Sequence, residues 1–153
     1  MRIRGFEVAK GYEDKSINMP VRKTKHAAGY DIEAAEDILI PIFRPGIKPV
    51  LVPTGLKAYC QDDECYLLLN RSSGPKKGLF MANGIGLIDS DYYGNKNNDG
   101  HLYFPFFNCS DEDILIKKGD SIGQLVFLKY LTVDNDVAFG ERTGGFGSTD
   151  KES

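Results

Sequence analysis

Asp89, Asp91 and Tyr92 stand together at the end of the apolar run Gly84-Ile85-Gly86-Leu87-Ile88, within the stretch from Asn83 to Gly94. A carboxylate delivered at the tip of an apolar arm can hold a water and accept its proton. Asp beside Gly also caps ordinary turns. A second candidate is Arg71-Ser72-Ser73-Gly74, directly after the run Cys65-Tyr66-Leu67-Leu68-Leu69. The planar donor fork of arginine matches phosphate oxygens and serine hydroxyls add to it, although the same residues serve equally well as a surface turn. The third is the tail, Arg142-Thr143-Gly144-Gly145-Phe146-Gly147-Ser148-Thr149. Glycines let backbone N–H groups approach an anion closely, Arg142, Ser148 and Thr149 supply charge and hydroxyls, and Phe146 could stack on a base. A flexible linker has a similar composition, but a lone Phe between glycines has no core to enter. Gly84-Ile85-Gly86 is not a dinucleotide fingerprint, because the third glycine and a following helix are missing.

Composition narrows the classes. The 153 residues carry a formal charge of −3, which argues against broad coating of nucleic acid but leaves room for one small anion held by a local group of donors. Cys60, Cys65 and Cys109 are odd in number and form no Cys-x-x-Cys pair; only His26 and His101 could join them, so a zinc cluster is not expected. Free thiols fit a reducing compartment. The amino-terminal residues lack the apolar stretch of a signal peptide and no run approaches the ~18 residues of a membrane span, so a cytoplasmic protein is expected.

The elements that must position these residues read as strands. Pro49 to Tyr59 is extended chain broken by Pro53 and Gly55, and Cys65 to Leu69 is a short buried strand. His101 to Phe107 is another, with Pro105 predicting an edge or a bulge. Ile122 to Tyr130 adds a further apolar run. A single short helix is expected near Ser73 to Gly78, with Pro75 early in it. Asn95 to Gly100 reads as a hairpin-type turn. Short strands at this spacing predict one all-β domain, a jelly roll or barrel. The core is expected over residues 1–140, with an arm over 141–153 that is mobile unless a ligand orders it.

Taken in order, five segments resemble the motifs of the trimeric dUTPase family: Ala28 to Ala34, Arg71 to Gly74, Gly84 to Gly94, Gly119 to Leu125, and Arg142 to Thr149. The resemblance spans residues 28 to 149. It implies a distorted jelly roll (a β-clip barrel) with a carboxy-terminal arm, assembled as a homotrimer whose active sites are shared between subunits. The implied reaction is hydrolysis of dUTP to dUMP and pyrophosphate, which keeps uracil out of DNA and supplies dUMP for thymidylate synthesis. By the same resemblance Asp89 activates the water that attacks the α-phosphorus, and Tyr92 packs against deoxyribose and excludes a 2′-hydroxyl. Asn83 and the backbone of Gly86, Leu87 and Ile88 read uracil, with Tyr103 near the base. Arg71, Ser72, Ser73 and Gln124 contact phosphates. Arg142, Ser148 and Thr149 hold the γ-phosphate, with Gly147 beside them, and Phe146 closes over the base. Mg²⁺ is carried by the triphosphate, and Asp31 acts on it through water.

The sequence departs from the pattern at a few positions. Asn70 stands where Pro is more common, Ser121 and Gly123 where Arg and Ala are common, and Asp150 where Gly is usual. A dCTP deaminase of the same fold would need a Glu placed to activate water at cytosine C4, and no such motif is present. A nucleotide-gated regulatory protein would be expected to carry a long insertion between Gln124 and Arg142, which is also absent.

Overall fold

β-Branched and aromatic runs cut by Gly, Pro and Asp leave little chain for helix. The computed structural model describes residues 1–142, 144 and 145, and among these has eleven strands and one five-residue α-helix. The strands are β1 (Gly5–Val8), β2 (Tyr30–Glu33), β3 (Ile38–Ile40), β4 (Val50–Pro53), β5 (Leu56–Tyr59), β6 (Glu64–Leu69), β7 (Leu79–Met81), β8 (Gly86–Asp89), β9 (Tyr103–Asn108), β10 (Ile114–Ile116) and β11 (Ser121–Lys129). They pair antiparallel as a four-stranded sheet β2-β11-β6-β8, a three-stranded sheet β4-β9-β7, and the ribbons β1-β5 and β10-β3. This is the expected all-β, jelly-roll-like architecture.

The core lies between the sheets. Ile32, Ile40, Val52, Leu56, Tyr66, Leu68, Phe104, Phe106 and Leu125 are almost fully buried. Each such side chain contributes about 1.5–3 kcal/mol of burial free energy, so the sheets carrying the candidate residues are held from behind by packing. β5 shows the two-residue period directly, with Leu56 and Ala58 inside and Lys57 and Tyr59 half out.

The helix α1 (Ser73–Lys77) forms where it was expected and ends on Gly78 at φ +94°, a left-handed cap that suits glycine. Two expectations need correction. Pro105 lies on neither an edge strand nor a bulge but in β9, the middle strand of its sheet, opposite Leu51. Its carbonyl accepts from Ala82 N–H at 2.8 Å, just past the end of β7. Ala82 lies opposite Pro105 at the last rung, so the missing proline N–H removes only the reciprocal bond to the Ala82 carbonyl, at the end of the ladder with β7. Asn95 to Gly100 is not a simple hairpin turn either. It is a loop with its own network of side-chain hydrogen bonds, because asparagine side chains compete effectively for nearby backbone groups. Among the described residues the three cysteines are free, and no helix is long and apolar enough to cross a membrane.

Gly123 marks an irregularity in the β11–β2 register. A Cβ at this position would run into the ring of Phe104 and come within 2.9 Å of the Leu69 carbonyl oxygen. The ring is fully buried and the carbonyl is backbone, so neither can yield cheaply. Gly123→Ala, the residue common at this position in the resembled motif, should therefore destabilise the fold by about 1–3 kcal/mol. Urea denaturation measures this, and an unchanged midpoint would contradict the packing account.

Candidate active site

β8 is the outer strand of its sheet, paired with β6 along one side. Along its other side, where no strand pairs among the described residues, alternate residues present backbone N–H and C=O groups that suit a planar partner with complementary donors and acceptors. Gly86 is buried against Leu68, Leu87 is exposed and Ile88 half-buried. The Asn83 side-chain amide lies 3.5 Å from the place a Cβ on Gly86 would occupy, so it overhangs the start of the strand. Asp89 ends β8, its carboxylate more than half exposed.

A 3₁₀ turn over Ser90–Tyr92 follows at once and rotates Tyr92 inward, leaving Asp89 and Asp91 outside. Tyr92 is 3% exposed. Its hydroxyl donates to the His101 carbonyl at 2.5 Å and accepts from Asn98 Nδ2 at 2.8 Å, while burial pushes its pKa up to about 12. His101 is buried too, its ring packed between Tyr12 and Tyr103 with centroids 4.8 and 4.2 Å away. Its Nε2 accepts from Gly55 N–H at 2.8 Å, which requires that nitrogen to be unprotonated, and burial lowers its pKa to about 4. Tyr103 is half-buried beside this ring, on the wall of a cleft shared with Lys10, Tyr12 and the 95–99 loop.

The arm reaches the same place. Arg142 donates from Nη2 to Asp89 Oδ2 at 2.7 Å and from Nε to Asp91 Oδ1 at 2.8 Å, with Nη1 on the Gly144 carbonyl at 3.1 Å. Gly145 lies on the Tyr92 ring so closely that a Cβ there would collide with it. Arg142 was expected on a phosphate; here it spans the two carboxylates. Phe146, Gly147, Ser148 and Thr149 lie outside the described residues.

The other candidates gather at the far end of β6. Asp31 on β2 faces Gln124 on β11, which faces Leu69 on β6. Arg71 Nε lies 3.1 Å from Asp31 Oδ1, and Gln124 Nε2 donates to the Asn70 carbonyl at 3.2 Å. Among the described residues the hydroxyls of Ser72 and Ser73 and the terminal nitrogens of Arg71 make no hydrogen bond, and Ser72 does not cap α1. Asn70 ties this turn to β7 through Nδ2 and the Leu79 carbonyl at 3.0 Å, a bond that proline could not make. Its Oδ1 is buried without a partner among the described residues.

The two groups are far apart within one chain. Asp89 pairs with Cys65 at the start of β6, whereas Arg71 follows its end. At ~3.3 Å per residue the path from Cys65 to Arg71 covers roughly 20 Å.

An outer strand β8 that runs from Gly86, opposite Leu68, to the carboxylate of Asp89, opposite Cys65, together with a cation–hydroxyl cluster past the end of β6, could meet a ligand that is part planar and part anionic. The family model described as dUTPase matches residues 15–149. A deoxyuridine 5′-triphosphate nucleotidohydrolase of Lactococcus lactis subsp. lactis (strain IL1403) is 51% identical over 153 residues, covering 97% of this chain and 99% of that protein. One from Actinobacillus pleuropneumoniae serotype 5b (strain L20) is 36% identical, covering 96% and 97%. The crystal structure of dUTPase from Streptococcus mutans aligns with a TM-score of 0.79 at 42% identity, covering 86% of this chain and 99% of that one. The chain belongs to the dUTPase family.

Sequence reasoning missed Asn95, Asn98 and His101, which surround Tyr92. The signal was the density of asparagine between 95 and 98, which also serves turns.

His101 gives a pH prediction. Its folded pKa of about 4 lies below the ~6.5 of an unfolded histidine, so its contribution is complete above pH ~6.5 and is lost as the pH falls towards 4. The loss is on the order of 2 kcal/mol. His101→Gln, which keeps an acceptor for Gly55 N–H, should flatten stability between pH 6.5 and 4. Identical acid limbs in wild type and variant would contradict the buried neutral imidazole.

Proposed function

We propose that the chain hydrolyses dUTP to dUMP and pyrophosphate at sites shared between the subunits of a homotrimer. The observation that carries this reading is β8 itself, an edge unpaired along its outer side among the described residues, which ends in an exposed carboxylate with a buried tyrosine turned in beside it. Family membership supplies the substrate: the curated relatives are named for deoxyuridine triphosphate.

The residues divide the work. Asn83 and the backbone of Gly86, Leu87 and Ile88 hydrogen-bond the uracil edge. Cytosine presents donor and acceptor reversed, which would leave buried groups unpaired. Tyr92 takes the deoxyribose on its ring and leaves no room for a 2′-hydroxyl, with Tyr103 further along the base side. Asp89 holds the attacking water and accepts its proton. Arg71, Ser72, Ser73 and Gln124 bind the phosphates. The roughly 20 Å of chain path between Arg71 and Asp89 supports taking them from different subunits.

The arm, 141–153, is read as a lid over the core, 1–140. Before substrate binds, Arg142 rests on Asp89 and Asp91, and Gly145 on Tyr92. Both carboxylates are more than half exposed, so these pairs hold by about 0–1 kcal/mol each and yield to a triphosphate. Arg142, Gly147, Ser148 and Thr149 then hold the γ-phosphate while Phe146 covers uracil.

The donor set fits Mg²⁺ as a cation brought by the substrate. Asp31 is a single carboxylate already held by Arg71, suited to gripping a metal-bound water. When bound, Mg²⁺ neutralises phosphate charge. A cytoplasmic setting, where nucleotides are handled and thiols stay reduced, suits the three free cysteines.

Purified protein with Mg²⁺ should release pyrophosphate from dUTP and far less from dCTP, dTTP or UTP; ammonia released from dCTP without pyrophosphate would overturn the reading. Asp89→Asn should still bind dUTP yet turn over about 10²–10⁴-fold more slowly, and near-normal turnover would remove Asp89 from the water. Deleting 141–153 should cut activity and leave a folded trimer, whereas full activity would rule out a lid.

A further inference from the structure

Tyr92 is held at both ends by one pair of side chains. Asn95 Nδ2 donates to the Tyr92 carbonyl at 2.7 Å, and Asn98 Nδ2 donates to the Tyr92 hydroxyl at 2.8 Å. The two amides are joined by Asn95 Nδ2 donating to Asn98 Oδ1 at 2.7 Å. We infer that this asparagine clasp is the positioning element for the sugar-facing tyrosine, and that Asn98 sets how strongly the site rejects a ribonucleotide.

The polarity of the clasp is determined by groups that cannot reverse. Asn98 Oδ1 also accepts from Gly100 N–H at 3.1 Å, and a backbone N–H only donates. Its Nδ2 must therefore face Tyr92. Asn95 Oδ1 accepts from the N–H groups of Asn97 and Asn98 at 3.0 and 3.1 Å, which fixes that amide as well. With Asn98 as its donor, the tyrosine hydroxyl has its single proton for the His101 carbonyl. The chain of bonds runs one way, and an acceptor at position 98 would compete for that proton.

The clasp is anchored. Asp99 accepts from Lys10 N–H at 3.0 Å and pairs with Lys57 Nζ at 2.8 Å, tying the loop to the residue after Ala9 and to β5. Gly100 sits at φ +84°, and a Cβ there would lie 2.9 Å from the Tyr92 carbonyl oxygen and 2.8 Å from Tyr93 Cα. Nothing larger than glycine lets the loop close this tightly.

The consequence follows from the chemistry of the discrimination. Rejecting one added hydroxyl by shape requires a wall that does not retreat. A tyrosine ring on a strand end can swing about its two side-chain torsions; one tied at its carbonyl and its hydroxyl cannot. The inference rests on the proposed contact between Tyr92 and deoxyribose.

Asn98→Asp replaces the donor by an acceptor of the same shape and tests this. The ratio of kcat/KM for dUTP over UTP should fall about tenfold, with most of the change in the UTP value, while circular dichroism and the trimer stay as in wild type. Tyr92→Phe, which removes only the hydroxyl, should lower the ratio by a similar factor, and adding Asn98→Asp to it should lower the ratio no further. Equal losses for dUTP and UTP would mark the clasp as merely structural and overturn the inference, whether or not the loop of the Asn98→Asp variant folds well. Tyr92→Ala separates the layers. If it relaxes the ratio while Asn98→Asp and Tyr92→Phe do not, the clasp falls and the sugar contact stands. If Tyr92→Ala leaves the ratio unchanged, the sugar contact itself falls.

Discussion

The length of β6 governs how this protein can work. Its first half pairs with Asp89 and its far end delivers Arg71, so the carboxylate and the arginine–serine cluster sit at opposite ends of one rigid strand. That strand is packed through Tyr66 and Leu68 into the core and cannot bend to bring them together. On the proposed reading, the two chemistries are joined between chains. The proposed threefold assembly would set Asp89 of one subunit opposite the phosphate cluster of the next without moving either.

The same arrangement explains how an acidic protein receives a highly anionic substrate. The two candidate phosphate arginines are each held on carboxylates in the substrate-free chain, Arg71 on Asp31 and Arg142 on Asp89 and Asp91. The second pair is bidentate in function yet exposed, so exchanging it for phosphate costs little. Tyr92 is different: it is buried, hydrogen-bonded at both ends, and fixed by a loop that is itself bonded elsewhere. The arm proposed to move is held weakly, and the tyrosine proposed to discriminate is held firmly.

Much of this was legible in the sequence because it is local. The strand at Cys65 to Leu69, the helix ended by Gly78, and the grouping of Asp89 with Tyr92 each follow from a few neighbouring residue types. What escaped was set by partners distant in sequence. Pro105 enters a central strand because β7 happens to end beside it, and Gly123 is required by Phe104 across the core. Asn95 and Asn98 looked like turn residues because their use depends on a tyrosine ring already turned inward. Arg142 resting on Asp89 depends on where the arm folds back, which no spacing rule gives.

The shared site is tested most directly by mixing two inactive variants. Asp89→Asn and Arg71→Ala chains, dissociated and reassembled together at equal amounts, should recover about a quarter of wild-type dUTP hydrolysis, because random trimers place an intact Asp89 beside a neighbour's intact Arg71 at that frequency. Reassembled mixtures that stay as inactive as either variant alone would show that both residues act within one chain, and would contradict the account.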